Sequence, residues 1–536
     1  MASRRDELNA YTFAKRRTVA AFLRPSATGT EEGAPRPLRA VVPGVVTAAL
    51  VLAAFGAWGM FRPTAPRGWD TPGARVIVGK QSTTRYVVLT TKVDGKDQAR
   101  LHPVLNLASA RLLLDPAQVK VVQVEDKVLD AGKLPRGPVV GIPYAPDRLP
   151  APEDAAKAKR WAVCQQPGGN GRGVQSATFV LADREAELTD DDRRLSDSQA
   201  LYVQSTGAAK GRYLVDAAGT KYRFPEGTAE AGTMTNALVG GSATPQPVTE
   251  EWLATLNSGD DLAFPQLPGA KAGTPAGVEG LAGADDKVGM VLKAETGSGA
   301  QHYLVLPGKV VPVSEFVAWL VISSPATDGL DMHGKPREVD LQSIDPDPVP
   351  FEGDALWPAK KADRINEVRP AGAPATGAEG DRDTVCSVLR SVDGHGDRTL
   401  STWAGTGFPA DITAGGTSAY VTPGTGLLYT QAQGRQTTAG GSLFLLTDTG
   451  LRYAVQANGD SDSAQPPPAV SGAAGAPAAP GAPGQPASDG RPAPSQAQSR
   501  LGYGDVVPVT VPVAWSEFLS KGPRLDSNAA RQPQGS

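Results

Sequence analysis

The sequence predicts a β-rich α+β fold, in which a single N-terminal transmembrane helix precedes a large extracytoplasmic body of repeated hairpin-plus-helix lobes around a central sheet. Three observations carry this expectation. Residues 40–61 (AVVPGVVTAALVLAAFGAWGMF) form an uncharged run of 22 residues, long enough as a helix to cross a hydrocarbon layer of about 30 Å. Residues 213–222 (YLVDAAGTKY) and 444–453 (FLLTDTGLRY) are two copies of one hairpin: an apolar strand, a turn ending in Gly, and a second strand opening on a base and Tyr. Pro-Val pairs at Pro103, Pro247, Pro312 and Pro512 each lead into an apolar segment of helical character, as in 312–320 (PVSEFVAWL) and 512–519 (PVAWSEFL), with Pro suited to an early helical position.

From the N-terminus, residues 1–39 make a short head. Within it Leu8, Tyr11, Val19 and Phe22 fall on one face at helical spacing and predict an amphipathic helix, either docking on a partner subunit or lying on the membrane surface with no partner. Pro25, Gly29, Gly33, Pro35 and Pro37 mark a linker over 24–37. Arg4, Arg5, Lys15, Arg16, Arg17, Arg24, Arg36 and Arg39 keep the head cytoplasmic, against anionic lipid, and so place the body outside. A cleaved twin-arginine signal peptide built on Arg16 and Arg17 is the competing reading. The run at 40–61 is longer than an ordinary signal core, lacks an A-x-A site before Arg62, and carries Trp58 where an interfacial anchor belongs.

Residues 62–536 form the body. Looser hairpin copies begin at Tyr86 and Tyr303, so four hairpin-helix units are expected near 85–115, 201–256, 289–322 and 418–522. Their unequal spacing argues against a solenoid, whose repeats stack at near-constant length. The fourth unit is interrupted at 464–500, a Pro/Ala/Gly-rich stretch that cannot bury enough apolar surface to order itself, and 371–383 and 524–536 look similarly loose.

The chemistry is sparse. A net charge of −3 gives no electrostatic footprint for nucleic acid. The two cysteines, Cys164 and Cys386, both lie on the outer side, where an even count predicts one disulfide. The four histidines, His102, His302, His333 and His395, lack metal-ligand spacing, and no G-x-S-x-G elbow supports a hydrolase. Residues 73–81 (GARVIVGKQ) approach a phosphate loop, but have five residues between the glycines and Gln81 where Ser or Thr would hold Mg²⁺. The acidic runs at 190–192 and 393–397 lack the alternating ligands of a calcium loop and predict solvated turns. No catalytic, cofactor or metal site is expected.

Several segments in order resemble the EccB family, membrane-anchored core components of actinobacterial type VII (ESX) secretion systems. They are 5–13 (RDELNAYTF) with Arg16 and Arg17, 84–87 (TRYV), 102–114 (HPVLNLASARLLL), 141–150 (GIPYAPDRLP), 161–164 (WAVC), and the closing 502–504 (GYG), Pro512-Val513 and Gly522-Pro523. The resemblance covers nearly the whole chain. The family tends to have Gln where Glu7 and Asn9 stand and Gly where Tyr144 stands, and the stretch at 464–500 is a larger departure. It implies a structural subunit in the cell membrane whose partners are a coupling ATPase with the P-loop motor, a multi-spanning channel subunit, the mycosin protease and further copies of itself. A membrane-anchored peptidoglycan-binding module is the alternative that the repeats and an outer location also suit; only a docking subunit needs the patterned cytoplasmic helix.

Overall fold

The structure is a computed structural model describing residues 4–23, 37–61, 65–168, 173–297, 299–367, 382–412, 418–434, 441–455 and 494–534. Helix α1 spans Arg4–Leu23 and α2 spans Pro37–Phe61. Side chains of α2 are described at 41–57, all exposed, so Trp58 lies outside them. Among the described residues no helix is long and apolar enough to cross a membrane. Most of the linker at 24–37 and the loose stretch at 371–383, and the insertion up to residue 493, also fall outside the described residues.

The body is a sheet-rich α+β structure. Strands β1 (Arg75–Gly79), β2 (Arg85–Val93) and β3 (Lys96–Val104) form a meander, and after helix α3 (Leu107–Leu112) strand β4 (Lys120–Val124) returns parallel to β1. Short helices α4 (Asp126–Asp130) and α5 (Pro152–Ala155) lead to the hairpin of β5 (Arg160–Pro167) and β6 (Val174–Leu181). The next sheet joins β7 (Gln199–Ser205), β8 (Arg212–Val215) and β9 (Thr220–Arg223), followed by α6 (Ala229–Val239), β10 (Gln246–Val248), α7 (Glu250–Thr255) and β11 (Asn257–Ser258). A third sheet contains β12 (Val291–Thr296), β13 (Gly299–Leu306), β14 (Lys309–Val313) and, after α8 (Glu315–Ile322), β15 (Arg337–Glu338).

Strand β16 (Asp363–Arg364) pairs with β7, and β17 (Thr384–Val392) with β18 (Arg398–Gly405) makes a second central hairpin, edged by β19 (Ala419–Val421) on β6. The last sheet has β20 (Leu427–Ala432), β21 (Leu443–Leu446), β22 (Leu451–Val455), α9 (Gln496–Arg500), β23 (Val509–Pro512), α10 (Val513–Ser516) and β24 (Ser520–Lys521), before α11 (Ser527–Arg531).

Sheet order shows which units are alike. The first and third sheets run β3-β2-β1-β4 and β14-β13-β12-β15. The second and last run β10-β7-β8-β9-β11 and β23-β20-β21-β22-β24, with Lys221 opposite Ser258 and Arg452 opposite Lys521 in matching register. Their hairpin turns both end on a left-handed glycine, Gly219 (φ 74°) and Gly450 (φ 76°). In both, a Tyr ring fills the place of a side chain: a Cβ on Gly259 would lie 2.3 Å from Tyr222, and one on Gly522 2.4 Å from Tyr453. Trp252 and Trp515, five residues before β11 and β24, are fully buried.

Three sequence expectations are corrected. The Pro-Val pairs do lead into helices α3, α7, α8 and α10, but the prolines hold no helical position: Pro103, Pro247 and Pro312 lie inside strands, and Pro512 ends β23 as the N-cap of α10. All four occupy edge strands, where a missing N–H costs no ladder bond. The end of the stretch at 464–500 is not loose: Ser495 caps α9 by accepting from the Gln498 amide, and Ala497 and Leu501 are buried. Nor is the chain end. Asp526 caps α11, Leu525 and Ala530 are fully buried, and Gln534 donates from its backbone to Val139 O and from Nε2 to Gly141 O.

The core explains this order. One apolar cluster is shared by the first and last sheets, uniting Val76, Val104 and Leu112 with Leu445, Leu501 and Leu525. Another joins the second and third through Tyr202, Phe224, Phe316 and Leu320. Arg111 and Arg500 close the first contact by each donating to a helix-end carbonyl of the other segment, Leu501 O at 2.7 Å and Leu112 O at 2.9 Å.

Candidate functional site

Helix α1 carries the residues expected to dock. At about 100° per residue, Leu8, Tyr11, Val19 and Phe22 fall within an arc of about 80°. All four side chains are exposed, Phe22 at 90% and Tyr11 at 71%. The hydroxyls of Thr12 and Thr18 beside this arc bond back to Leu8 O and Ala14 O, so both are satisfied within the helix.

Cys164 and Cys386 are joined. They face each other in the register of β5 and β17, with Cα atoms 4.0 Å apart, the close approach of a non-hydrogen-bonded antiparallel pair. Both are fully buried, in a cluster with Ala162, Ala177, Phe179, Val388 and Trp403. The bridge therefore fastens two hairpins that are 222 residues apart in sequence at the middle of one sheet, ordered β18-β17-β5-β6-β19. On the opposite face, Trp252 Nε1 donates to Val163 O at 2.9 Å and Gln165 Oε1 accepts from the Thr249 amide at 2.9 Å, tying α7 to the same strand.

The acidic run at 190–192 is a clamp and not a solvated turn, a further correction to the sequence reading. Asp190 accepts from Arg160 of β5 and Arg390 of β17, each at 2.5 Å, and from Arg194 at 3.4 Å. Burial pushes its carboxyl up, but the bonds from Arg390 and Arg160 outweigh this and hold it below the ordinary carboxylate range. Asp191 is taken by Arg193 and by Trp403 Nε1. Nothing local in the sequence announces the Arg390 contact, which closes across 200 residues. Asp393 instead makes a turn, accepting from the His395 and Asp397 amides. Among the described residues no group of His, Cys, Asp or Glu side chains could hold a metal ion.

The segment resembling a phosphate loop is a strand. Val76 and Ile77 are fully buried in β1, which lies between β2 and β4. The backbone donors beyond it are occupied: Gly79 N bonds Thr84 O, Lys80 N bonds Val124 O, and Gln81 N and Ser82 N bond Asp126 Oδ2 at 3.0 and 2.8 Å. Desolvation raises the Asp126 carboxyl, but bonds from Ser82 and Gln81 prevail and keep it low. A carboxylate of the chain itself thus takes the amides that a phosphate would need.

His102 packs in β3, almost wholly buried, under Gly137, where an added Cβ would lie 2.2 Å from its ring. Its Nδ1 is 3.0 Å from Pro138 O, and its Nε2 finds no partner among the described residues. Burial holds its pKa below the ordinary value.

The sequence model of the family described as "Type VII secretion system ESX-1, transport TM domain B" matches residues 1–535. The chain belongs to this EccB family. The ESX-2 secretion system ATPase EccB2 of Mycobacterium tuberculosis is 32% identical over 282 residues, 51% of each chain. The match thus spans about half the length of that relative. The ESX-3 secretion system ATPase EccB3 of Mycolicibacterium smegmatis is 29% identical over 453 residues, 78% of this chain and 76% of the relative. Among solved structures, an EccB3 dimer from the ESX-3 core complex has a TM-score of 0.54 at 21% identity, covering 85% of this chain and 99% of the other. A chain of an intact ESX-5 inner membrane complex gives 0.53 at 20% identity, covering 100% and 96%. At these identities the likeness is one of fold.

Tyr144 has φ 61° and is 89% exposed. That backbone region favours Gly. The turn is held by Asn106 Nδ2 on Ile142 O and Ser109 Oγ on the Ile142 amide.

Proposed function

We propose that this EccB chain is a structural subunit of a type VII secretion membrane complex. Residues 40–61 span the membrane once, the head 1–39 lies in the cytoplasm, and the body from residue 62 assembles outside with other copies. The face of Leu8, Tyr11, Val19 and Phe22 docks on a core subunit. The coupling ATPase, the multi-spanning channel subunit and the mycosin protease are its proposed partners. The four outer sheets with their helices are copies of one lobe set around the disulfide-joined sheet. The observation carrying this reading is a family match that runs through head, apolar run and body alike.

The relatives are named ATPases. We assign nucleotide hydrolysis to a partner, because the nearest approach to a phosphate loop is a central strand whose following amides are held by Asp126. Purification of the full chain from membranes in mild detergent, with identification of associated subunits and assay of ATP turnover by the separated protein, tests both parts. The expected result is a multi-subunit assembly and no turnover by this chain; a solitary chain that hydrolyses ATP overturns the reading.

A further inference from the structure

Lys15 sits inside the apolar seam of α1. Measured from Leu8 at about 100° per residue, Tyr11 lies at about 300°, Phe22 at about 320° and Val19 at about 20°, which puts Lys15 at about 340°, in the middle. The spacing 8, 11, 15, 18, 22 is that of a heptad seam, with Lys15 at its central position. No Asp or Glu lies three or four residues from Lys15, and Glu7, eight residues away, is about 12 Å along the axis. Among the described residues Lys15 has no ion-pair partner. Thr12 and Thr18 bond within the helix, so in the middle of the seam the Lys15 ammonium is the group that calls for an external acceptor.

A charge in the middle of a closing apolar interface is costly unless an opposite charge meets it. Two parallel copies of α1 in register would set Lys15 against Lys15, which disfavours self-pairing. A helix lying on lipid keeps its bases on the polar face, and here the base is central. We propose that α1 docks against a helix that sets an aspartate or glutamate opposite Lys15, an inference that rests on the docking reading above. The carboxylate fixes register and partner choice, and the apolar residues on either side supply the contact area.

The test uses the full-length chain in cells that carry the rest of its secretion system, with the photo-crosslinking residue p-benzoylphenylalanine in place of Tyr11. The expected adduct is with a helical segment bearing an Asp or Glu within one turn of the crosslink. Lys15→Arg should keep the adduct, Lys15→Met should lower it several-fold, and Lys15→Glu should lower it by about tenfold or more. Reversing the partner carboxylate to Lys should restore the adduct with Lys15→Glu. An adduct undiminished in Lys15→Met, or a partner segment without a carboxylate, overturns the inference. So does crosslinking to phosphatidylglycerol alone, with Lys15→Glu weakening binding to phosphatidylglycerol vesicles. The double variant Leu8→Asp with Phe22→Asp separates the two levels. If its adduct survives, the docking reading itself fails; if it is lost while all Lys15 variants behave as wild type, only the ionic contact fails.

Discussion

Replacing Cys164 and Cys386 together by Ala removes the one covalent tie between β5 and β17, and its cost can be worked from the chain. The bridge spans 222 residues, for which loop-closure entropy gives about 5 kcal/mol. That is an upper value. The loop contains the second and third sheets, and if these stay folded when the central sheet opens, the flexible loop is far shorter and the figure falls toward about 3 kcal/mol. The five paired residues of the β5–β17 ladder and the Asp190 clamp remain in the variant, so the sheet should still form. Trp161 and Trp403 are both buried in it, so their fluorescence reports its opening. With a urea slope of about 3 kcal/mol per molar, the midpoint should drop by about 1 M in the full-length chain in mild detergent. Reduced wild type should behave alike, which separates the lost crosslink from lost sulfur packing. A shift below about 0.2 M in both would refute the view that the bridge stabilises the central sheet.

Other outcomes follow from single sites. Tyr11→Asp with Phe22→Asp should abolish partner co-purification and export while the body still reaches the outer side, as shown by protease accessibility; normal export contradicts the docking role. Lys80→Ala should leave secretion nearly intact and produce no change in nucleotide binding, measured with a fluorescent ATP analogue. Gly522→Ala, whose Cβ would lie 2.4 Å from the Tyr453 ring, should destabilise the last sheet by roughly 1–3 kcal/mol, and Gly259→Ala the second by a similar amount; unchanged melting in either removes the close approach. His102 has a depressed pKa through burial, so between that value and the ordinary 6.5 only the unfolded chain takes up the proton. Stability should then fall as pH drops below about 6.5, and His102→Gln should flatten that slope in pH-dependent denaturation.

Short-range signals were legible in the sequence and long-range ones were not. The hairpins at 213–222 and 444–453 announce themselves because a strand, a glycine turn and a base followed by Tyr recur within ten residues. The disulfide follows from counting, since only two cysteines exist. The four Pro-Val pairs announce the helices that follow them but not the strand each proline itself occupies, because proline suits an edge strand as well as a helix start, and which applies depends on whether a neighbour needs its N–H. The Asp190 clamp was invisible, because its partners Arg160 and Arg390 come from strands far apart in sequence. The chain end read as loose because its composition is polar, whereas Leu525 donates to Ala454 O of β22, Ala530 is buried in the cluster shared by the first and last sheets, and Gln534 bonds Val139 and Gly141 in the loop after the first sheet. Tyr144 is the reverse case: the resemblance alone singles it out as a departure from Gly, and its positive φ is of the kind that favours Gly.

The central claim is that this chain builds a secretion complex and does not drive it. Electron microscopy of the complex purified in mild detergent from membranes carrying the tagged full-length chain tests it most directly. The account predicts a multi-subunit particle in which several copies of the five-sheet body cluster on the outer side, with α1 seated on a cytoplasmic helix of another subunit. Isolated single chains, bound to cell-wall material and lacking any core subunit, would contradict it.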